Sequence, residues 1–217
     1  MIDLYTYRTS NGRKVSIMLE ECGLPYTLRV VDITKGDQHA PEFLKISPNG
    51  RIPAIVDRDG PEGRPLALFE SGAILLYLAE KTGRFLSREP EARWQAMQWL
   101  MWQMGGVGPN FGQAFHFLHQ FPEGTPDEAL AYGRDRFVGE VRRLLGVMES
   151  RLRDVPWLGG ADYGIADMAT FPWVALHGWL GVALDDWPSV ARWHGEIRER
   201  PAVRRGMDVP TRAEAGM

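Results

Sequence analysis

The first eighty residues switch repeatedly between a period of two and a period near 3.6. Ile2–Thr6 reads as a strand, with Leu4 apolar among aromatic and β-branched neighbours. A turn cluster, Thr9-Ser10-Asn11-Gly12, leads into a helix over Arg13–Cys22 that carries Val15, Met18, Leu19 and Cys22 on one face. Gly23-Leu24-Pro25 stops it. Tyr26–Ile33 alternates around Leu28 and Val30 as a second strand, Thr34–His39 is a polar loop, and Pro41–Lys45 makes one helical turn. Ile52–Val56 and Leu66–Phe69 read as two more strands, separated by the turn-rich stretch Asp57–Pro65. Ser71–Lys81 is a strong helix with Ile74, Leu75, Leu78 and Ala79 in register and Ser71 as its N-cap.

Strand, helix, strand, then strand, strand, helix is the order of a thioredoxin-like α/β domain, predicted over residues 1–83. Gly83–Pro90 mixes Gly, Ser and Pro between two helical patterns and marks the boundary. An all-helical domain is predicted over residues 90–207. Its first helix, Glu91–Met104, is apolar almost all round (Trp94, Met97, Trp99, Leu100, Met101, Trp102), more than one core can cover. Gly105-Gly106-Val107-Gly108-Pro109 is expected to kink or break it. Pro126–Leu152 is long and amphipathic, with Phe137, Val141, Leu144, Leu145, Met148 and Leu152 aligned. Ile165–Leu180 is apolar, with a kink expected near Pro172, and Pro188–Glu199 is the last strong helix before a tail rich in Pro, Arg and Gly.

Composition narrows the function. With 217 residues there is ample chain for a buried core, and 44% hydrophobic with 24% charged residues is ordinary for a soluble globular protein. A net charge of −3 argues against a broad nucleic-acid surface. No apolar run approaches the ~18 residues of a membrane span. The start lacks a basic region followed by an apolar one, so the cytoplasm is the expected location. A single cysteine, Cys22, excludes an intrachain disulfide and a CxxC redox pair, and its place at a helix end reads as small-residue packing. His116 and His119 lie three apart with no cysteine or carboxylate to complete a ligand set, so no metal is expected.

Two short stretches carry the chemistry. In Ser47-Pro48-Asn49-Gly50-Arg51-Ile52-Pro53 a polar turn enters a strand with a proline at its start, where no ladder donor is needed and where a cis peptide is cheap. In Phe69-Glu70-Ser71-Gly72 a strand gives way to a helix whose free N–H groups and positive dipole end attract a carboxylate. Together they read as a holder for a small peptide. The strand edge pairs with the peptide backbone, Ser71 and the helix end take a carboxylate, and Glu70 takes an ammonium.

That combination, with Glu70 17 positions after Pro53, resembles the glutathione site of the glutathione transferase family. The resemblance extends from Thr9-Ser10-Asn11-Gly12 to Trp157-Leu158-Gly159-Gly160 and is strongest to the nu class, which acts on glutathione disulfides. It implies that Thr9 and Asn11 contact the glutathione sulfur, with Tyr7 as the alternative donor and Tyr5 set aside as core. Ile52 then pairs with the cysteinyl backbone, Pro53 is cis, Glu70 and Ser71 hold the γ-glutamyl end, and Gln38 touches the glycyl end. Asn49 and Arg51 flank the site. Arg136, rather than Arg134, reaches a glutathione carboxylate, although a solvated charged face is an equal reading of both. Gly164-Ile165-Ala166-Asp167 takes the place of the family's helix-capping box, with Gly164 where a hydroxyl residue is usual. The implied activity is glutathione-dependent reduction of small disulfides without an enzyme cysteine, in a homodimer. Conjugation of glutathione to electrophiles is the alternative, and the fold alone leaves a non-catalytic binding module open.

Overall fold

The computed structural model describes residues 1–216, and among these the chain divides into two compact units. The first comprises residues 1–86 together with the segment from Arg198 onward; the second is Ser87–Ile197.

The first unit is built on a four-stranded sheet of order β2-β1-β3-β4: β1 (Ile2–Thr6), β2 (Tyr26–Val30), β3 (Ala54–Asp57) and β4 (Leu66–Phe69). β1 and β2 are parallel, joined through helix α1 (Ser10–Cys22). β3 runs antiparallel to both β1 and β4, with Tyr5 opposite Ala54 and Ala54 opposite Phe69. Helix α2 (Pro41–Leu44) is the single turn between β2 and β3, and α3 (Ser71–Thr82) follows β4. Val15, Ile17, Met18 and Leu19 of α1 and Ile74, Leu75 and Leu78 of α3 are fully buried, as is Leu4 of β1. This is the predicted βαβ–ββα order.

Several boundaries moved. α1 begins at Ser10 rather than Arg13, because Thr9 in extended conformation caps it and its Oγ1 accepts the Gly12 N–H at 3.1 Å. The second strand stops at Val30, and Ile52 and Pro53 precede β3, whose ladder starts at Ala54. Ser71 is not the N-cap of α3 but its first helical residue; Glu70 occupies the cap with φ 71°. The Pro/Arg/Gly-rich tail contains a further helix, α9 (Pro201–Met207), and it belongs to the first unit instead of ending the 90–207 segment. Gly206 explains the fit. A Cβ there would lie 2.6 Å from the backbone of Ile17, so only glycine lets α9 approach α1 this closely. Ser16 donates to the Gly206 carbonyl at 2.6 Å, and Arg200 grips Glu21 through two bonds of 2.6 and 2.9 Å.

The second unit holds α4 (Pro90–Trp102), α5 (Gly108–His119), α6 (Asp127–Asp154), α7 (Ile165–Val174) and α8 (Pro188–Arg198). The glycine cluster after α4 does not break the helix. Gln103–Val107 forms a π turn that passes directly into α5. Within one chain the apolar surface of α4 is not fully covered, since Trp94 is 70% and Met101 50% exposed. α6 buries Val141, Leu144, Leu145, Met148 and Leu152 of the predicted stripe, while Phe137 is half-buried and stacks on Phe117. The helix expected over Ile165–Leu180 stops at Val174, shortly after Pro172, and a separate 3₁₀ turn covers His177–Leu180.

Asp167 fixes the start of α7. Its Oδ2 accepts the Gly164 N–H at 3.0 Å, while Oδ1 accepts the Leu158 N–H at 2.9 Å and the Trp193 indole N–H at 2.7 Å. Glycine has no side chain to return the bond, so only half of a capping box forms. Complete burial pushes the Asp167 carboxyl up to about 6, with the three donors pulling the other way.

Candidate functional site

Three segments leave the sheet of the first unit at one end. β1 and β4 finish there and β3 begins there, because the ladder closes at Tyr5–Ala54 and Ala54–Phe69. Thr9 and Asn11 therefore follow the end of β1, Ile52-Pro53 precede β3, and Glu70-Ser71 follow β4. Gln38 arrives at the same end, since β2 is parallel to β1 and Val31 still bonds to the Thr6 carbonyl at 3.0 Å.

Each segment is held by local rules. At the first, a Cβ on Gly12 would lie 2.5 Å from the Tyr7 carbonyl oxygen, so glycine lets α1 start hard against the end of β1. The Thr9 N–H bonds to that same carbonyl at 2.7 Å. Thr9 and Asn11 are left half-buried at the helix start, whereas Tyr7 is 4% exposed and Tyr5 packs its ring against Phe43. At the second, Ser47 is buried, donating to the Arg51 carbonyl at 2.8 Å across the Pro48–Gly50 turn. Ile52-Pro53 is cis, as expected, and Ile52 lies two residues ahead of the first ladder pair. Asn49 and Arg51 are exposed on this turn. Gln38 sits beside it, its carbonyl oxygen next to Gly50, its Nε2 3.2 Å from the His39 ring nitrogen and its Oε1 buried without a hydrogen-bond partner.

At the third, Glu70 adopts φ 71° and ψ 109°, a backbone region that side-chain-bearing residues enter only when the surroundings compel it. The carboxylate is exposed and the first turn of α3 follows immediately, with Ser71 4% exposed. Beneath Ser71 lies a residue that the sequence pattern did not single out. Lys14 of α1 is 1% exposed, and its Nζ donates to Ser71 Oγ at 3.3 Å. Burial pulls the Lys14 ammonium down to about 7, with the Glu70 carboxylate acting in the opposite direction.

Apart from Cys22, the other candidates are carried by other elements. Cys22 is at the far end of α1, roughly 16 Å along the helix axis from Asn11 at 1.5 Å per residue. Its thiol is pushed up by burial, more than its contact with Thr82 at 3.7 Å pulls it down, which disfavours the thiolate. Arg136 is exposed on α6 in the second unit, near the Tyr132 hydroxyl at 3.5 Å, and Arg134 donates to the Phe117 carbonyl at 3.1 Å. His119 meets the Trp179 carbonyl at 2.6 Å and His116 packs edge-on to Phe117. No three His, Cys, Asp or Glu residues among those described are grouped to hold a metal, and no described helix is long and apolar enough to cross a membrane.

Comparison with known proteins gives this arrangement a lineage. Residues 10–81 match the model of the glutathione S-transferase N-terminal domain, and residues 113–201 match that of the C-terminal domain. The chain is 50% identical over 208 residues to the disulfide-bond oxidoreductase YfcG of Escherichia coli, covering 95% of this chain and 94% of that protein. A glutathione transferase of Burkholderia graminis, solved with two glutathione molecules per subunit, superposes with a TM-score of 0.91 at 49% identity, over 97% of this chain and 89% of that one. One from Pseudomonas putida, solved with one glutathione disulfide per subunit, gives 0.89 at 46% identity, over 96% and 91%. A thioredoxin-like sheet with Glu70-Ser71 at the head of α3, followed by a helical unit and matched across nearly its whole length, leaves one assignment: the chain belongs to the glutathione S-transferase family.

Proposed function

We propose that the protein is a glutathione-dependent disulfide-bond oxidoreductase that uses no cysteine of its own. The observation that carries this reading is the contrast between the two ends of α1. Hydroxyl and amide donors stand at the sheet end, while the only cysteine lies far away with its thiol disfavoured as a thiolate. The family supplies the thiol as glutathione, and similar proteins hold two glutathiones or one glutathione disulfide per subunit.

The geometry of the sheet suits a tripeptide. Three adjacent strands, β1, β3 and β4, span about 10 Å at ~4.8 Å between neighbours. An extended tripeptide reaches about the same distance. Glutathione laid across the strand ends puts its γ-glutamyl ammonium on Glu70 and its carboxylate on Ser71 and the α3 N–H groups. Its cysteinyl backbone meets Ile52, with the Pro53 ring closing the turn behind, and its glycyl end approaches Gln38. The sulfur then lies by Thr9 and Asn11, whose hydroxyl and amide donate without ionising. Arg136 is assigned to a ligand carboxylate by its match to the nu-class pattern alone.

The reaction balances with glutathione as the sole reductant. One glutathione thiolate attacks a sulfur of the substrate disulfide, the S–S bond breaks, and one substrate sulfur leaves as a thiolate that takes a proton. A second glutathione thiolate attacks the glutathionyl sulfur of the mixed disulfide, releasing the other substrate thiol and glutathione disulfide. Two electrons pass from two glutathiones to one disulfide. Such an enzyme belongs in a reducing, glutathione-poised compartment, which places it in the cytoplasm. The exposed Trp94 and Met101, seven residues apart on one face of α4, support a homodimer paired through that helix.

Turnover of hydroxyethyl disulfide with glutathione tests the mechanism. Cys22→Ser is expected to retain activity, whereas Thr9→Ala and Asn11→Ala each lower it. Loss of turnover in Cys22→Ser with both other variants unchanged overturns the proposal.

A further inference from the structure

β1 ends at Thr6 and α1 begins at Ser10, so Tyr7, Arg8 and Thr9 carry the chain from sheet to helix. The Thr9 N–H bonds back to the Tyr7 carbonyl at 2.7 Å, which makes Arg8 the corner of a three-residue turn. Arg8 is not among the residues with positive φ, so the corner has the inverse form common at strand ends. One backbone bond closes such a corner, and Arg8 brings two soft dihedrals immediately ahead of Thr9. The direction in which Thr9 leaves the sheet therefore depends on what holds Arg8.

Its side chain is held by a segment distant in sequence. Nη1 donates to Asp208 Oδ1 at 3.1 Å and to the Pro210 carbonyl at 2.5 Å, and the side chain is 18% exposed. The segment that accepts these bonds is itself fixed. Pro210 and Ala215 are buried, and the Thr211 N–H and hydroxyl both donate to the Glu214 carboxylate, at 2.7 and 2.9 Å. From α1, Arg13 donates through Nε to the Met207 carbonyl at 3.1 Å. Thr9 thus stands between two arginines that grip one stretch, residues 207–210, and all of them belong to the first unit.

We propose that Arg8 is a positioning residue for Thr9, anchored by residues 207–210, and that this clamp aims the Thr9 hydroxyl at the glutathione sulfur. The inference deepens the glutathione-dependent reading given above and rests on it. A donor that must meet a thiolate has little tolerance, since a misplacement of about 1 Å can cost on the order of a hundredfold in rate. The cap bond ties Thr9 Oγ1 to α1. The clamp ties the turn ahead of Thr9 to a segment that Arg13 also holds to α1, so both sides of Thr9 refer to one helix.

Arg8 is also a cation, and its charge alone would favour a thiolate nearby. The two roles differ in sign at Asp208. A charge acts whether or not Thr9 has its hydroxyl, and removing the Asp208 carboxylate strengthens it. A clamp acts only through that hydroxyl, and removing Asp208 loosens it.

Glutathione bound to the full chain is titrated by the ultraviolet absorbance of its thiolate, with S-methylglutathione as the blank. Wild type is compared with Arg8→Ala, Thr9→Ala, the two combined, and Asp208→Ala. Thr9→Ala is expected to raise the thiol midpoint by about one pH unit, a tenfold loss of thiolate at a given pH below it. Arg8→Ala should raise it as well, and the combined variant should match Thr9→Ala instead of adding the two shifts. Asp208→Ala should also move the midpoint up; the residue is 63% exposed, so its truncation spares the core. Shifts that add in the combined variant, a midpoint unmoved in Arg8→Ala or in Thr9→Ala, or one that falls or stays in Asp208→Ala overturns the positioning role while leaving the glutathione site standing. No heat of mixing between glutathione and the wild type overturns the glutathione reading itself and this inference with it.

Discussion

Thr9 Oγ1 accepts the Gly12 amide hydrogen at 3.1 Å, so the residue that caps α1 is also the one proposed to donate to the glutathione sulfur. A hydroxyl can do both at once, since accepting at a lone pair leaves its proton to point outward.

Substitutions at Thr9 separate the two tasks. Thr9→Ser keeps both and is expected to stay near wild-type. Thr9→Ala loses the cap, costing about 1 kcal/mol of stability. It also loses the donor, worth about 1.5–3 kcal/mol toward an anion or roughly ten- to a hundredfold in kcat/KM. Thr9→Asp caps as well as threonine but offers no proton and repels a thiolate. It should melt like the wild type and reduce hydroxyethyl disulfide more slowly than Thr9→Ala. Activity in Thr9→Asp above that of Thr9→Ala would show that the cap alone matters.

Glu70 combines a charge with a strained backbone, and its variants should split binding from stability. Glu70→Ala, Glu70→Gly and Ser71→Ala are each expected to weaken S-methylglutathione about ten- to a hundredfold by calorimetry. Glu70→Gly should be more stable than Glu70→Ala by about 1 kcal/mol in urea, because glycine accepts φ 71° without a Cβ penalty. Equal stability of the two would mean that the backbone there carries no strain.

If α4 pairs across a two-fold axis, Trp94 and Met101 meet their counterparts at the interface. Light scattering at micromolar concentration should then give twice the 24.5 kDa chain mass. Trp94→Glu combined with Met101→Glu should return the monomer mass, because like charges would be buried against each other. A wild-type mass of one chain refutes the pairing.

Asp167 predicts a pH dependence of stability. Its carboxyl is raised in the folded chain from its usual value near 3.8 to about 6. A raised folded value means that the contribution is fully present below about 3.8 and lost as the pH climbs through 6. About two pH units correspond to about 3 kcal/mol. Relative to Asp167→Asn, which does not titrate, the wild type should therefore lose ground between pH 4 and pH 6.5 in urea unfolding. A stability difference that is flat over that range would show that the donors from Leu158, Gly164 and Trp193 keep the carboxylate ionised throughout.

Periodicity carried the order of elements along the chain and most helices because local pattern and packing agree there; Val15, Met18 and Leu19 were visible as a stripe and are buried. The readings that changed were those decided by distant contacts. α9 looks like a polar tail until Gly206 is seen against Ile17. Glu70 displaced Ser71 as the cap because the turn out of β4, not cap preference, sets its backbone. Lys14 was missed because a charged residue in an amphipathic helix reads as surface. The signal was nevertheless present: Lys14 stands three and four residues before Ile17 and Met18, inside the buried stripe rather than opposite it.

The return of α9 to α1 also sets a timetable for synthesis. Between Leu86 and Met207 the ribosome adds 121 residues, which takes roughly 6–24 s at about 5–20 residues per second. Throughout that interval the strands and helices of the first unit exist without the segment that covers Ile17, Ser16 and Glu21, and the second unit is made in the meantime. The nascent sheet domain is thus completed last although it is translated first, and a ribosome stalled before Met207 holds a chain whose α1 still shows its outer face to chaperones.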